Sequence, residues 1–427
     1  MTCLASAPGG ALGQGATPDA KLQERLDLAD RFNRRVMLIR DSLLPPKWLA
    51  DGGRLVFWSE EGKDGGTWRV PHARTGVVKP LVPAAELRAW LAKQVGKPVS
   101  GPRMSPFALK RLSSGTGMHR MTLAPSGNYY VDTWSSRTQP RLRELVSTEG
   151  KTRVRLTTSD VSAVEALGYK PPEALTVAAA DGVTPLHGVL YRPRDFDAGK
   201  RYPVIAYIYA GPFTTTVPWS YVGNAMSLDA ASMAQLGFVV VMLDPRGGPG
   251  RSKAFQDANY GRVGQTEIPD YVTGLKQAAA TRPWMDLERV GIFGHSWGGY
   301  FALRGMLTAP EFFKAGYAGA PGALEEEAII NEPYLGLPGV NPAAYQAGSN
   351  LALAGKLRGA LKMMHGTSDV NATLSTTMRM AEALIREGKH FEMLIMPGQP
   401  HSPEPPLDRY YSDDVNLFFL RTLGGPK

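Results

Sequence analysis

Residues 291–308 read GIFGHSWGGYFALRGMLT, and the fold follows from how this stretch is built. The apolar run RVGIFG, starting at Arg289, reads as a strand, and the residues from Trp297 onward read as a helix. Gly294, Ser296 and Gly298 form a G-x-S-x-G at the junction. A turn that sharp strains the serine backbone, and only small neighbours let strand and helix approach so closely, a demand met by Gly294, Gly298 and Gly299. The geometry presents Ser296 as a nucleophile. It also aims the N–H of Trp297, at the start of the helix, toward the place where an oxyanion would form.

A serine hydroxyl attacks a carbonyl only when a base removes its proton, and the base is a histidine oriented by a carboxylate. On a strand–elbow–helix scaffold the chain order is serine, acid, histidine. Of the seven histidines, His365, His390 and His401 lie downstream of the elbow. His365 ends the strand LRGALKMMHG, and His390 sits in EGKHFEM as a turn or surface residue. His401 follows the strand FEMLIMPG in the loop QPHSPEPP, at the carboxyl edge where sites of open α/β sheets assemble. His401 is therefore the predicted base. Asp369, in HGTSDVN after the preceding strand, is the predicted acid, with a turn-capping role near Thr373 as its alternative; Asp408, Asp413 and Asp414 come too late in the chain.

Around the elbow, LTVAAA, PLHGVLYRP, PVIAYIYAG and GFVVVMLDPRG are apolar runs, and QTEIPDYVTGLKQAAATRP supplies a helix between strands. Strands alternating with helices predict an open, largely parallel sheet covered on both faces, the α/β-hydrolase fold, over residues 171–427, closed by a helix at DDVNLFFLRTL. Upstream the pattern differs. Residues 1–20 read as a flexible tip, and Leu22, Leu26, Ala29, Phe32 and Val36 recur on one face of a helix ending near Arg40. RLVFWSEEG and TWRVPH flank a turn at Lys63–Gly66, and MTLAP, YYVDTWS, RLRELV and TRVRLT repeat the strand–turn pattern. Each stretch amounts to about one four-stranded propeller blade, and a closed propeller needs four or more. Residues 21–170 are thus expected to be a helix plus an incomplete, propeller-like β domain, with the Gly-, Pro- and Ser-rich segment 91–117 as a connection.

GHSWGGY, HGTSDVN, YPVIAYIYAGP and LDPRGGPGRSKAFQDANYGRVGQ, with a histidine about thirty residues after the aspartate, together resemble the prolyl oligopeptidase family of serine peptidases, in its dipeptidyl peptidase IV-like branch. KWLADGGRLVFW resembles the first blade of that family's propeller, and LAPSGNYYVDTWSSRTQP its last. The resemblance implies a Ser296, Asp369 and His401 triad, with the hydroxyl of Tyr209 joining the Trp297 amide as a second oxyanion donor. It implies peptide substrates; no cofactor or metal is expected, because the triad is chemically complete without one. Two departures accompany it. The middle blades are missing, and with them the gate and the acidic pair that holds a substrate amino terminus; Glu60 and Glu61 read instead as solvated residues beside a hairpin turn. After AGAP, where relatives carry a proline slot of Trp and Tyr, this chain has GALEEEAIINEPYLG, in which only Tyr334 is aromatic and Glu325–Glu327 occupy the region.

The expected reaction is acyl transfer to water from a peptide bond, by a dipeptidyl- or oligopeptidase. A carboxylesterase acting on small esters is the alternative, because an ester asks less of an altered pocket. A weakly catalytic scaffold remnant is the second alternative. Composition sets the remaining bounds. The 427 residues are 43% apolar and carry a net charge of +9, spread without a block of like charge or a nucleic-acid motif, so no nucleic-acid partner is expected. The lone Cys3 excludes a disulfide framework and suits no structural zinc. No apolar run reaches the roughly 18–20 residues of a membrane span. MTCLASAPGGALGQGATP lacks a full leader, although LASA fits the end of one, so cytoplasmic, periplasmic and secreted locations all stay open. The RGGPGR loop, Arg246–Arg251, lacks the Lys-Ser/Thr ending of a phosphate-binding loop. Exposed edges on an incomplete propeller predict self-association, as a homo-oligomer.

Overall fold

The strand runs of the sequence form three sheets in the computed structural model, which describes residues 20–39, 47–48, 55–59, 67–71, 78–80, 112–113, 116–212, 214–221, 228–322 and 331–427. Two of the sheets are four-stranded and antiparallel. The first comprises β1 (Lys47–Trp48), β2 (Leu55–Ser59), β3 (Thr67–Pro71) and β4 (Val78–Pro80). Its β2–β3 hairpin pairs Phe57 with Arg69 and Ser59 with Thr67. The second comprises β5 (Met118–Leu123), β6 (Tyr129–Ser135), β7 (Leu142–Ser147) and β8 (Arg153–Thr158). Leu55 of the first meets Val131, Leu145 and Leu156 of the second in one small apolar cluster. The tip at 1–19, Glu60, Glu61, the turn at 63–66 and most of 91–117 lie outside the described residues.

The third sheet has eight strands: β9 (Glu173–Ala178), β10 (Pro185–Tyr191), β11 (Tyr202–Tyr207), β12 (Val239–Leu243), β13 (Met285–His295), β14 (Phe313–Gly319), β15 (Ala360–Gly366) and β16 (Glu392–Met396). Their order is β16-β15-β14-β13-β11-β12-β10-β9, parallel from β16 to β12 and antiparallel through β10 and β9. The chain therefore has an α/β-hydrolase fold with a smaller N-terminal β region. The long helices are α1 (Ala20–Asn33), α2 (Glu267–Ala280), α3 (Trp297–Thr308), α4 (Leu374–Arg386) and α5 (Leu407–Leu423). Side chains alternate across a strand, so β11 serves two cores. Val204 and Ala206 join Tyr271 of α2, Phe301 of α3 and Leu384 of α4 on one face. Ile205 and Tyr207 join Phe32 of α1 and Phe418 of α5 on the other. At about 1.5–3 kcal/mol per large buried side chain, these two layers hold the sheet in place.

Three expectations change here. The helix read through Val36 stops at Asn33, and a 3₁₀ turn, Arg35–Leu38, follows. The tighter turn leaves Val36 55% exposed and buries Arg35, whose Nη1 lies 2.6 Å from Asp229 and whose guanidinium stacks on Tyr169. A buried ion pair thus overrides the apolar periodicity. The second change concerns allegiance. Leu26, Ala29 and Phe32 pack with Met233, Phe238 and Phe418, so α1 belongs to the hydrolase core although 21–170 grouped it with the β domain. Asn33 accepts from the Asp229 N–H, and Ser232 donates to Ala29 O, fastening the same contact. The closing helix also begins earlier than DDVNLFFLRTL, at Leu407.

Candidate active site

Ser296 stands between β13 and α3 with φ 62° and ψ −121°, a backbone conformation that costs on the order of 1–3 kcal/mol and persists only where its surroundings enforce it. Those surroundings are glycines. A Cβ on Gly294 would lie 2.1 Å from Gly298 O, and one on Gly298 would lie 2.3 Å from Ile208 O. The Ser296 N–H donates to Gly319 O at 2.8 Å, tying the elbow to the neighbouring strand end. The elbow expected at residues 294–298 is present, and its serine is half-buried.

Trp297 opens α3, so its N–H sits at the positive end of the helix dipole. Tyr209 follows the end of β11, and its Cα would lie 3.2 Å from a Cβ on Gly298, which sets its main chain against the first turn of α3. The chain then reverses through Ala210 at φ 53° and Gly211 at φ 79°. Asp244, at the end of β12, pins the loop beyond by accepting the N–H groups of Thr216 at 2.6 Å and Val217 at 3.1 Å. Burial pushes the Asp244 carboxyl up to about 6 against the pull of those two amides. Tyr209 and Trp297 are therefore neighbours at the sheet's carboxyl edge.

The ends of β15 and β16 bring up the other two residues. His401 Nδ1 lies 2.7 Å from Asp369 Oδ2, linking loops that are 32 residues apart. Asp369 Oδ1 accepts the main-chain N–H groups of Asn371 at 2.8 Å and Ala372 at 2.9 Å, so this residue forms a turn beside the histidine contact but does not cap the helix that starts after Thr373. Burial opposes ionisation of Asp369, yet the His401 hydrogen bond and the two amides outweigh it and hold the carboxyl below its ordinary range.

Two further histidines stand in the site. His295, in the x position of the elbow, is buried; its Nε2–H donates to His401 O at 2.7 Å, and its Nδ1 faces the Tyr411 hydroxyl of α5 at 3.2 Å. Burial and the neighbouring His401 push it down to about 3, so it is neutral. His365, read from sequence as a strand-end residue, is fully buried 3.2 Å from Asp369 Oδ2. The only signal for His365 was its position four residues before the acid, and for His295 its adjacency to the serine.

Tyr334 lies partly buried against the hydrolase core, and its carbonyl accepts from the Gly261 N–H at 2.7 Å. Glu325–Glu327, with the rest of 323–330, lie outside the described residues. Arg246 is committed to Asp270 and Asp181, which fits a structural loop rather than a phosphate cradle. No described helix is long and apolar enough to cross a membrane.

Residues 224–426 match the prolyl oligopeptidase family. Human dipeptidyl peptidase 8 is 32% identical over 315 residues, 71% of this chain and 35% of that protein. A probable dipeptidyl-aminopeptidase B of Aspergillus clavatus is 32% identical over 238 residues, 54% of this chain and 25% of its own length. Among solved structures, a Bacteroides ovatus protein provisionally described as a dipeptidyl aminopeptidase IV superposes with a TM-score of 0.67 at 26% identity, covering 89% of this chain and 59% of its own. Dipeptidyl peptidase 4 of Porphyromonas gingivalis superposes with a TM-score of 0.66 at 24% identity, covering 89% and 50%, a likeness of fold. The chain spans about a third of the length of its human relative.

Proposed function

Starting from a chain that belongs to the prolyl oligopeptidase family through residues 224–426, we propose that it is a serine peptidase that hydrolyses short peptides by way of an acyl-enzyme. Ser296 attacks the scissile carbonyl while His401 takes its proton. Asp369 holds the imidazole in the tautomer with Nδ1–H and stabilises the imidazolium that forms. The alkoxide is met by the Trp297 N–H and the Tyr209 hydroxyl, each such donor worth about 2.7–4 kcal/mol in the transition state. His401 then protonates the leaving amine, and a water deprotonated by the same nitrogen releases the acid. The observation that carries this reading is the 2.7 Å link between His401 and Asp369 on the two strand ends that follow a strained Ser296.

The names of the relatives favour release of short N-terminal fragments, and we assign that as the substrate class. The test compares an Xaa-Pro p-nitroanilide with a short-chain p-nitrophenyl ester, using wild type and Ser296→Ala. Anilide turnover that disappears in the variant supports the peptidase. Ester turnover alone, lost in the variant, moves the assignment to a carboxylesterase using the same triad. Turnover of both substrates that survives in Ser296→Ala removes the triad.

A further inference from the structure

We propose that His365 is a positioning residue for the reaction: by holding Ala372 O with its Nε2–H and setting that N–H edge against the inner oxygen of Asp369, it fixes the carboxylate that orients His401. The inference rests on the triad reading and deepens it.

His365 ends β15 and is fully buried. Its Nε2 faces two groups that can only accept, Ala372 O at 2.6 Å and Asp369 Oδ2 at 3.2 Å, so this nitrogen carries the proton. Its Nδ1 lies 2.7 Å from Oγ1 of Thr377, a fully buried residue of α4. Burial keeps the ring neutral, so Nδ1 accepts and the Thr377 hydroxyl donates. The tautomer is thus fixed from one side by α4 and used on the other.

The consequence is that Asp369 is held from several sides. Oδ1 takes two main-chain amides, Oδ2 takes Nδ1–H of His401, and the N–H edge of His365, whose proton goes to Ala372 O, faces Oδ2 at 3.2 Å. The titratable groups around this carboxylate are His401 and His365, with His295 behind His401. By donating to Ala372 O with its ring against Asp369 Oδ2, His365 braces the 369–372 turn from inside and restrains the carboxylate. Without that N–H edge beside it, Oδ2 is a stronger acceptor and is less firmly placed. The acid limb of the rate then moves up in pH, and the plateau rate falls.

The test measures labelling of Ser296 by a fluorophosphonate probe from pH 5 to 9, together with kcat and KM for a short-chain p-nitrophenyl ester. For His365→Leu we expect labelling to slow about tenfold or more, as small misplacements of a catalytic group do. Its acid limb should rise by about half a pH unit, with KM unchanged. His365→Gln, whose amide N–H can reach the place of Nε2–H, should restore most of the rate. Thr377→Val, which keeps the volume and removes the hydroxyl that fixes the tautomer, should shift the limb in the same direction by less. If His365→Leu does not fold, the Gln and Val variants decide. An acid limb unmoved in every variant, with rates tracking Tm alone, overturns the inference. Asp369→Asn separates this failure from that of the triad: labelling as fast as wild type in Asp369→Asn sinks the triad, whereas slow labelling there with normal labelling in His365→Leu sinks only the role of His365.

Discussion

The eight-stranded sheet and the β5–β8 sheet reach order by different means. In the former, β11 and β12 are buried along their whole length between two helical layers. In the latter, β5 is largely exposed, with Met118 at 60% and Leu123 at 54%, and the shared apolar cluster rests on Leu55, Val131, Leu145 and Leu156. Polar pairs do much of the holding there. Asp132 is buried against His119, which stacks on Trp134, and Glu144 takes both Arg153 and the Trp134 N–H. The difference teaches that the site is built on the region with two cores, while the β region is tied on by a few contacts such as the Tyr221 N–H to Ser135 Oγ at 3.1 Å.

If chemistry resides in the hydrolase region alone, Ser296→Ala should lower hydrolysis and fluorophosphonate labelling by about 10⁴-fold or more while Tm and both sheets persist. Retained labelling in that variant would detach the chemistry from the elbow. Next in size, Arg35→Ala leaves Asp229 as a buried, unpaired carboxylate beside Tyr169. Denaturant unfolding of the hydrolase region should show a loss of about 3–5 kcal/mol, because removing one partner of a buried pair exposes the full cost of the other. A loss confined to the β region would return α1 to that region.

Leu145→Ala sharpens the comparison from the opposite side. It removes a fully buried side chain from the small cluster and should cost the β region about 2–3 kcal/mol. Hydrogen exchange should accelerate in β5–β8 while the labelling rate of Ser296 holds. A parallel fall in both regions would show one cooperative unit.

The smallest effect is a pH slope. His295 is held down to about 3 in the fold, so its contribution is complete above about pH 6.5, its unfolded value, and is lost as pH falls toward 3. That is about 2 kcal/mol between pH 7 and pH 5. Asp244, raised to about 6 by burial, has the opposite sign: its ionisation costs the fold stability above pH 6, and protonation relieves that cost as pH falls. The relief offsets about 1 kcal/mol over the same window. Asp244→Asn, which can still accept both amides, should therefore lose about 1 kcal/mol more than wild type on going from pH 7 to pH 5. Equal slopes in thermal melts would contradict the buried, partly protonated Asp244.

By itself the sequence determined the elbow, the alternation that makes an open sheet, and the order in which Ser296, Asp369 and His401 follow the ends of β13, β15 and β16. Those signals are local: glycine spacing, apolar runs and turn residues act within a few positions of one another, and the handedness of strand–helix–strand units limits what they can become. The tertiary structure decided the rest. It assigned α1 to the hydrolase core through Phe32 and Phe418, ended the helix at Asn33 because Arg35 reaches Asp229, and set His365 beside Asp369 and His295 behind His401. Most of these contacts join residues far apart along the chain. His365 is the instructive exception: its neighbour is only four positions away, yet it turns an N–H edge toward Asp369 only because Thr377 of a packed helix fixes its tautomer. Burial and hydrogen-bond completion, which no short-range pattern encodes, made that choice.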